Sequence, residues 1–290
     1  MDLSSTEIGP QILMAAIVTI ASFVIYLLVE TLYKAYLSYG TQKITVYPYT
    51  GFATKTITIT QDPNNTNSIT LPQSENQLTG IEFSYTTFLY ISSDSDTNTE
   101  GWKCIFYKGY ASGPFPLCGP GVFVSSRSDN TGPTLRVVMN TYQTWFNVVD
   151  VNQVPLDKWM HLAIVLRNNS LEVYINGNMA NKISFDGSLP YQNYQPLNLF
   201  PNSTTSSGDI TAKAWKNDGT AKHGIPVGEN FVLNGKFSGY ISNLVYYSYA
   251  ISYSEVNGNM NLGPSSKFAD SGNMDKPPYL IDSWWTQRGV

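Results

Sequence analysis

The stretch from Val154 to Gly177, VPLDKWMHLAIVLRNNSLEVYING, decides the reading of this chain. Residues 159–167 form a nearly unbroken apolar run, the pattern of a strand buried on both faces. After the polar break Arg167-Asn168-Asn169, Leu171, Val173 and Ile175 alternate with Glu172, Tyr174 and Asn176. A period of two predicts a strand with one face against a core. Asn176-Gly177 then supplies the dipeptide that tight hairpin turns require, because both central residues need positive φ.

The rest of the chain beyond residue 40 has the same grammar. Short runs rich in Ile, Val, Thr, Tyr and Phe are separated by Gly, Pro, Asn and Asp. Strands are predicted at 44–47, 56–60, 81–91, 103–109, 121–125, 134–140, 144–149, 159–167, 171–176, 181–186, 195–199, 231–233 and 236–248. No helix-period pattern is evident in this part. Many short strands with regular turn signals predict an all-β antiparallel sandwich. Residues 61–79 and 201–230 are turn-rich and polar, and read as long loops or insertions.

Ahead of the strands, Ile12 to Val29 reads ILMAAIVTIASFVIYLLV, without a charge. A run of about 18 apolar residues meets the length needed to cross a bilayer. Tyr33, Tyr36 and Tyr39 extend it as an interfacial belt, and Gly40 is a stop signal. A cleaved signal peptide fits less well, since Asp2 and Glu7 replace a basic start and no small-residue cleavage site follows. Lys34, Lys43 and Lys55 follow the helix, which by the positive-inside rule leaves the bulk of the chain cytoplasmic. The expected organisation is a short tail at 1–11, a transmembrane helix with its interfacial extension at 12–39, a β-sandwich at 40–262 with a polar insertion near 201–230, and a C-terminal tail at 263–290.

Composition excludes some functions. Charged residues make up 13% of the chain and the net charge is −4, with no Lys/Arg cluster. Nucleic-acid binding needs concentrated positive charge to displace counterions, so that class is excluded. Twenty tyrosines fit either ordinary strands or a surface that meets partners. Cys104 and Cys118 flank a Gly/Pro-rich loop and either bond to each other or stay as thiols. With His161 and His223 as the sole histidines, a four-ligand structural zinc site is not expected, nor is any cofactor.

The hairpin at Val154–Gly177 resembles the central hairpin of the laminin-G/concanavalin A-like jelly-roll family, with its Pro-containing turn, Trp-x-His strand and Tyr-x-Asn-Gly ending. Ile81–Ile91, Ile105–Gly109 and Phe237–Val256 resemble, in order, the family's early core strand, its next strand and turn, and its closing strand with a short helical turn. The resemblance implies that Trp159 fills the mouth of the sandwich. It implies a concanavalin A-like jelly roll preceded by one N-terminal transmembrane helix.

Chemistry is scarce. Glycoside hydrolases of this fold set two carboxylates a few residues apart on one strand face. Glu75, Glu82, Glu100, Glu172, Glu229 and Glu255 are too far apart in sequence for that, so an enzyme is not expected. No Gly-x-Ser-x-Gly elbow, phosphate loop or His-Glu-x-x-His occurs. Asp94, Asp96, Asn98 and Glu100 alternate like the start of a calcium loop but lack its Gly and its late Glu. Trp145 and Trp215 lie outside the core motifs, where they suit a sugar site or a protein interface equally.

The tail Pro277–Trp285, PPYLIDSWW, resembles those of membrane-anchored laminin-G-like virion proteins of large nucleocytoplasmic DNA viruses. That resemblance implies a non-catalytic adaptor linking a virion inner membrane to capsid proteins. Tyr279, Leu280, Trp284 and Trp285 are the expected docking residues, since two adjacent Trp left in water forfeit much burial. The alternative is a membrane-tethered lectin that binds glycans.

Overall fold

The computed structural model describes residues 5–66, 68–74, 81–93, 101–110, 117–125, 132–185, 187–204, 216–217, 222–223 and 231–269. The chain divides into two units, Met1–Lys43 and Ile44–Val290. In the first, helix α1 (Ser5–Gln42) runs past both ends of the apolar stretch. Its segment Gly9–Tyr33 is strongly apolar, broken only by Gln11, Glu30 and a few hydroxyls, and is exposed along its length. At 1.5 Å per residue that segment is about 37 Å long, enough to cross a hydrocarbon core of about 30 Å. Its hydroxyls turn inward: Thr19 and Ser22 donate to the carbonyls of Ala15 and Val18, both at 2.8 Å. Such back-bonding satisfies polar groups that lipid could not.

The second unit is a β-sandwich. Its strands are β1 (Lys43–Phe52), β2 (Ile57–Ile59), β3 (Phe83–Ile91), β4 (Trp102–Lys108), β5 (Gly121–Ser125), β6 (Leu135–Met139), β7 (Asn147–Val151), β8 (Trp159–Arg167), β9 (Ser170–Ile175), β10 (Asn178–Ser184), β11 (Leu197–Leu199), β12 (Ser203–Thr204), β13 (Lys216–Asn217), β14 (Lys222–His223), β15 (Leu233–Lys236) and β16 (Gly239–Tyr247). One sheet has the order β1-β16-β3-β8-β9-β10. The other has the order β12-β15-β4-β5-β6-β7, with β11 bridging β2 and β4. β13 and β14 pair only with each other.

The interior follows from alternation. Phe83, Tyr85, Leu89 and Ile91 of β3 and Met160, Leu162, Ile164 and Leu166 of β8 face Val122, Val124, Leu135, Val137 and Met139 of the opposite sheet. The outer faces are covered as well. Ala163, Val165, Tyr174, Val245 and Tyr247 lie under helix α2 (Tyr253–Leu262), which contributes Val256. This explains why β8 reads as a continuous apolar run. β9 alternates as expected, yet its polar face is buried too. Glu172 is satisfied there by Tyr174 Oη at 2.9 Å and Lys182 Nζ at 2.8 Å.

One reading is corrected, and the short helical turn that the resemblance implies after the closing strand is the start of helix α2. Trp159 does not fill the mouth of the sandwich. Met160 points into the core, so Trp159 faces outward in register with Tyr90, and its ring packs 5.7 Å from Tyr90 and 6.1 Å from Tyr240. Helix α2 was also not apparent from periodicity, because Asn and Gly dilute its apolar stripe. Its local signal is a capping box, in which Ser252 accepts from the Glu255 backbone while the Glu255 carboxylate accepts from Ser252. The Asn176-Gly177 turn forms with positive φ at both residues. A Cβ on Gly177 would sit 2.4 Å from Asn257 Oδ1 of α2, so the glycine serves the helix contact as well as the turn. Beyond α2, residues 263–269 fold back along β1, where the Thr50 N–H donates to Lys267 O at 2.7 Å and Thr50 and Ser265 share the buried Ser242 hydroxyl.

His161 lies on the outer face of β8, 1% exposed, its ring 5.0 Å from Phe88, and among the described residues neither ring nitrogen has a hydrogen-bond partner. Burial pushes its pKa down to about 4. An unfolded chain protonates near 6.5, so the folded state binds the proton later. The stability from keeping His161 neutral is therefore complete above pH 6.5 and is lost as pH falls from 6.5 towards 4. Denaturant titrations at pH 7 and pH 5 should show a loss of about 2 kcal/mol attributable to this residue. The loss should be absent in His161→Phe, and an equal loss in that variant would assign the acid sensitivity elsewhere.

Candidate functional site

Three segments meet at one edge of the second sheet: 108–110 with 117–120, 140–146, and 187–196. Thr141 and Pro190 form an antiparallel bridge, and the Tyr142 N–H donates to Leu189 O at 3.1 Å. The Gly109 N–H donates to Pro196 O at 3.1 Å. Gly109 and Gly119 allow the close approach, since a Cβ would meet Leu117 O at 1.9 Å in one case and Asn193 Nδ2 at 2.7 Å in the other. The Gly119–Pro120 peptide is cis.

Beneath this edge lie buried amides and one buried cation. Asn140 accepts from the Cys118 N–H through Oδ1 and donates through Nδ2 to Trp145 O, while its carbonyl accepts from Tyr191 N–H at 2.9 Å. One residue, through its side chain and its backbone carbonyl, thus joins all three segments. Lys108, 2% exposed, donates from Nζ to Asn193 O and, at 2.9 Å, to Gln195 O. Asn193 reciprocates, its Nδ2 donating to Lys108 O at 3.1 Å. Among the described residues no carboxylate forms an ion pair with Lys108. Burial pushes its amine down to about 7, and the oxygens around it favour the protonated form and oppose that fall.

Above this base the surface is aromatic. Tyr194, Tyr142 and Tyr110 are 72%, 56% and 46% exposed, with Leu189 beside them. Tyr191 packs edge-on against Tyr142 with centroids 5.1 Å apart. Residues 139–147 and 187–196 carry no charged side chain. The rim therefore offers ring faces and neutral hydrogen-bonding groups, and its base is rigid and fully bonded. Of the residues marked by sequence, Trp145 falls in the 140–146 segment, half-buried, its carbonyl accepting from Asn140. The tyrosines themselves were not singled out, because nothing in a chain with so many marks which are exposed.

The other marked residues lie elsewhere in the fold or outside the described residues. Tyr279, Leu280, Trp284, Trp285, Trp215 and the acidic stretch Asp94, Asp96, Asn98 and Glu100 lie outside the described residues. Glu82 accepts from the Asn168 N–H at 3.2 Å, Glu172 is bonded within its sheet, and Glu255 caps α2. Among the described residues no three His, Cys, Asp or Glu side chains could hold a metal. Cys104 and Cys118 are both buried free thiols in the layer outside the second sheet.

A family model described as the concanavalin A-like lectin/glucanases superfamily matches residues 63–211. No curated sequence matches the chain. Among solved structures, similarity extends to a Trypanosoma rangeli sialidase captured with 2,3-difluorosialic acid, at 13% identity and a TM-score of 0.37, over 62% of this chain and 23% of that one. The receptor-binding domain of botulinum neurotoxin D matches at 11% identity with a TM-score of 0.41, over 76% and 43%. The binding domain of Paraclostridial Mosquitocidal Protein 1 matches at 13% identity with a TM-score of 0.37, over 71% and 43%. The chain thus spans about a quarter to under half of these proteins' lengths.

Burial pushes both thiols well above the ordinary range, Cys104 further through its neighbour Cys118. Thiolate is the reactive form, so both should be inert in the native protein. A thiol-reactive chromophore at pH 8 should label neither cysteine before denaturation and both after it. Rapid native labelling of either would contradict this burial, and no labelling after unfolding without reductant would reveal a disulfide.

Proposed function

We propose that this chain, which belongs to the concanavalin A-like lectin/glucanases superfamily, is a non-catalytic binding protein that α1 tethers to a membrane and whose tyrosine rim engages neutral glycans. The observation that carries the reading is the rim itself: three exposed tyrosines, with segments 140–146 and 187–196 carrying no charge, over a hydrogen-bonded base in which the one cation, Lys108, is buried. Tyrosine ring faces stack on the C–H faces of sugar rings, and neutral amides and hydroxyls match sugar hydroxyls without demanding a charge. A rigid base lowers the ordering cost of binding. Hydrolysis of a glycosidic bond would need two convergent carboxylates. The described glutamates outside α1 are each engaged in the fold instead.

The capsid-adaptor reading rests on the C-terminal tail and is the competing outcome of the test. The full chain in detergent would be screened against neutral, sialylated and sulfated oligosaccharides. Selective retention of neutral glycans is expected, with Tyr142→Ala and Tyr194→Ala each weakening binding roughly tenfold, about 1.4 kcal/mol. Retention of no glycan, or retention unaffected by both substitutions, would overturn the lectin assignment. Loss of partner capture only on deleting residues 277–290 would favour the adaptor.

A further inference from the structure

Lys108 has no evident reason to be a lysine on packing grounds. It ends β4 at a buried position, and a buried ammonium that lacks a carboxylate is costly unless oxygens replace its water. Here they do, and all come from one short segment. Nζ donates to the carbonyls of Asn193 and Gln195, and Asn193 Oδ1 lies 3.4 Å away. The same Oδ1 accepts the Gln195 N–H at 3.0 Å, and Asn193 Nδ2 returns to Lys108 O. Asn193 is itself 3% exposed. Between the two anchored carbonyls stands Tyr194, the most exposed tyrosine of the rim, and three residues earlier stands Tyr191, which contacts Tyr142. No regular strand holds residues 191–196, since β11 starts at Leu197. Tyr191 and Pro196 are held by backbone bonds to Asn140 and Gly109, and Gln192 by side-chain bonds to Ser74 and Tyr246, while residues 193–195 between them are held by the bonds of Lys108 and Asn193.

We propose that Lys108 is the positioning residue of the tyrosine rim, its buried amine fixing the 193–195 backbone and so the presentation of Tyr194 next to the Tyr142–Tyr191 segments. The inference rests on reading that rim as the binding surface. A long, flexible side chain ending in a three-donor group suits the task, because carbonyls diverging from one bend need a donor set that reaches several directions at once. An apolar residue of equal length would fill the same space and leave the two carbonyls unbonded. The core would then survive while the rim loosens. The two unbonded carbonyls lie in a segment that no strand holds, so their cost falls first on local opening of 187–196 and only then on the core.

The test uses Lys108→Met and Asn193→Ala in the full chain in detergent, singly and together, with amide hydrogen exchange, melting temperature and the oligosaccharide screen as readouts. In Lys108→Met, exchange within 187–196 should rise roughly tenfold or more while β3 and β8 exchange as in the parent and the melting temperature holds. Asn193→Ala should raise exchange in the same segment, and the double variant should add little to either single one. Binding of any retained neutral glycan should fall in parallel. Unchanged exchange in 187–196 would overturn the proposal. So would a rise spread over the whole domain with a lower melting temperature, since Lys108 would then support the core in general. If the parent retains no glycan, the lectin reading fails while the exchange result still decides the role of Lys108. If Lys108→Met loosens the segment yet binds a retained glycan as tightly as the parent, the rim is not set by this residue.

Discussion

The pairing of β3 with β8 is the constraint on which the domain depends. These two strands lie at the centre of their sheet, in unbroken register from Phe83↔Leu166 to Tyr90↔Trp159. Nearly every side chain on both is buried, on both faces. A sheet with two apolar faces needs two covers. The opposite sheet supplies one. The other is built from α2, the returning segment 263–269 and the aromatic group of Tyr90, Trp159 and Tyr240.

Double coverage has consequences for polar groups. A buried carboxylate, lysine or histidine in such a sheet must find partners locally or stay neutral. Glu172 takes the first course through Tyr174 and Lys182. Arg136, on the outside of the other sheet, takes it through two 2.7 Å bonds to Asp150 and a face-on contact with Trp102 at 4.2 Å. His161 takes the second course and stays uncharged, a cost that shows only in acid. Lys108 is satisfied by backbone, and this ties core chemistry to the shape of a surface loop.

The strands were largely legible because their causes are local. Residues 121–125 and 159–167 match the predicted spans, and the Asn176-Gly177 turn follows from the positive φ that only a few residues accept. β7 lies at 147–151, a few residues beyond the predicted 144–149, since Thr141 and Thr144 close a tight turn that the apolar pattern did not reveal. The outward orientation of Trp159 was not legible, because a run apolar on both sides carries no parity. The rim was hidden for a different reason: its three segments are separated by dozens of residues, and the side chains that join them, Asn140, Asn193 and Lys108, are individually unremarkable polar residues. Trp145 was the one pointer to it.

The shape of the aromatic rim depends on the sheet beneath it, through Lys108 at the end of β4. The central claim is that the outer aromatic layer on β3 and β8 is structural and not a free surface. Denaturant unfolding of Trp159→Ala in the full chain tests it most directly. Loss of the ring between Tyr90 and Tyr240 should cost about 3 kcal/mol, typical of a buried aromatic cut to alanine. A stability equal to the parent's would mean that the outer layer contributes nothing, and would contradict the doubly covered sheet.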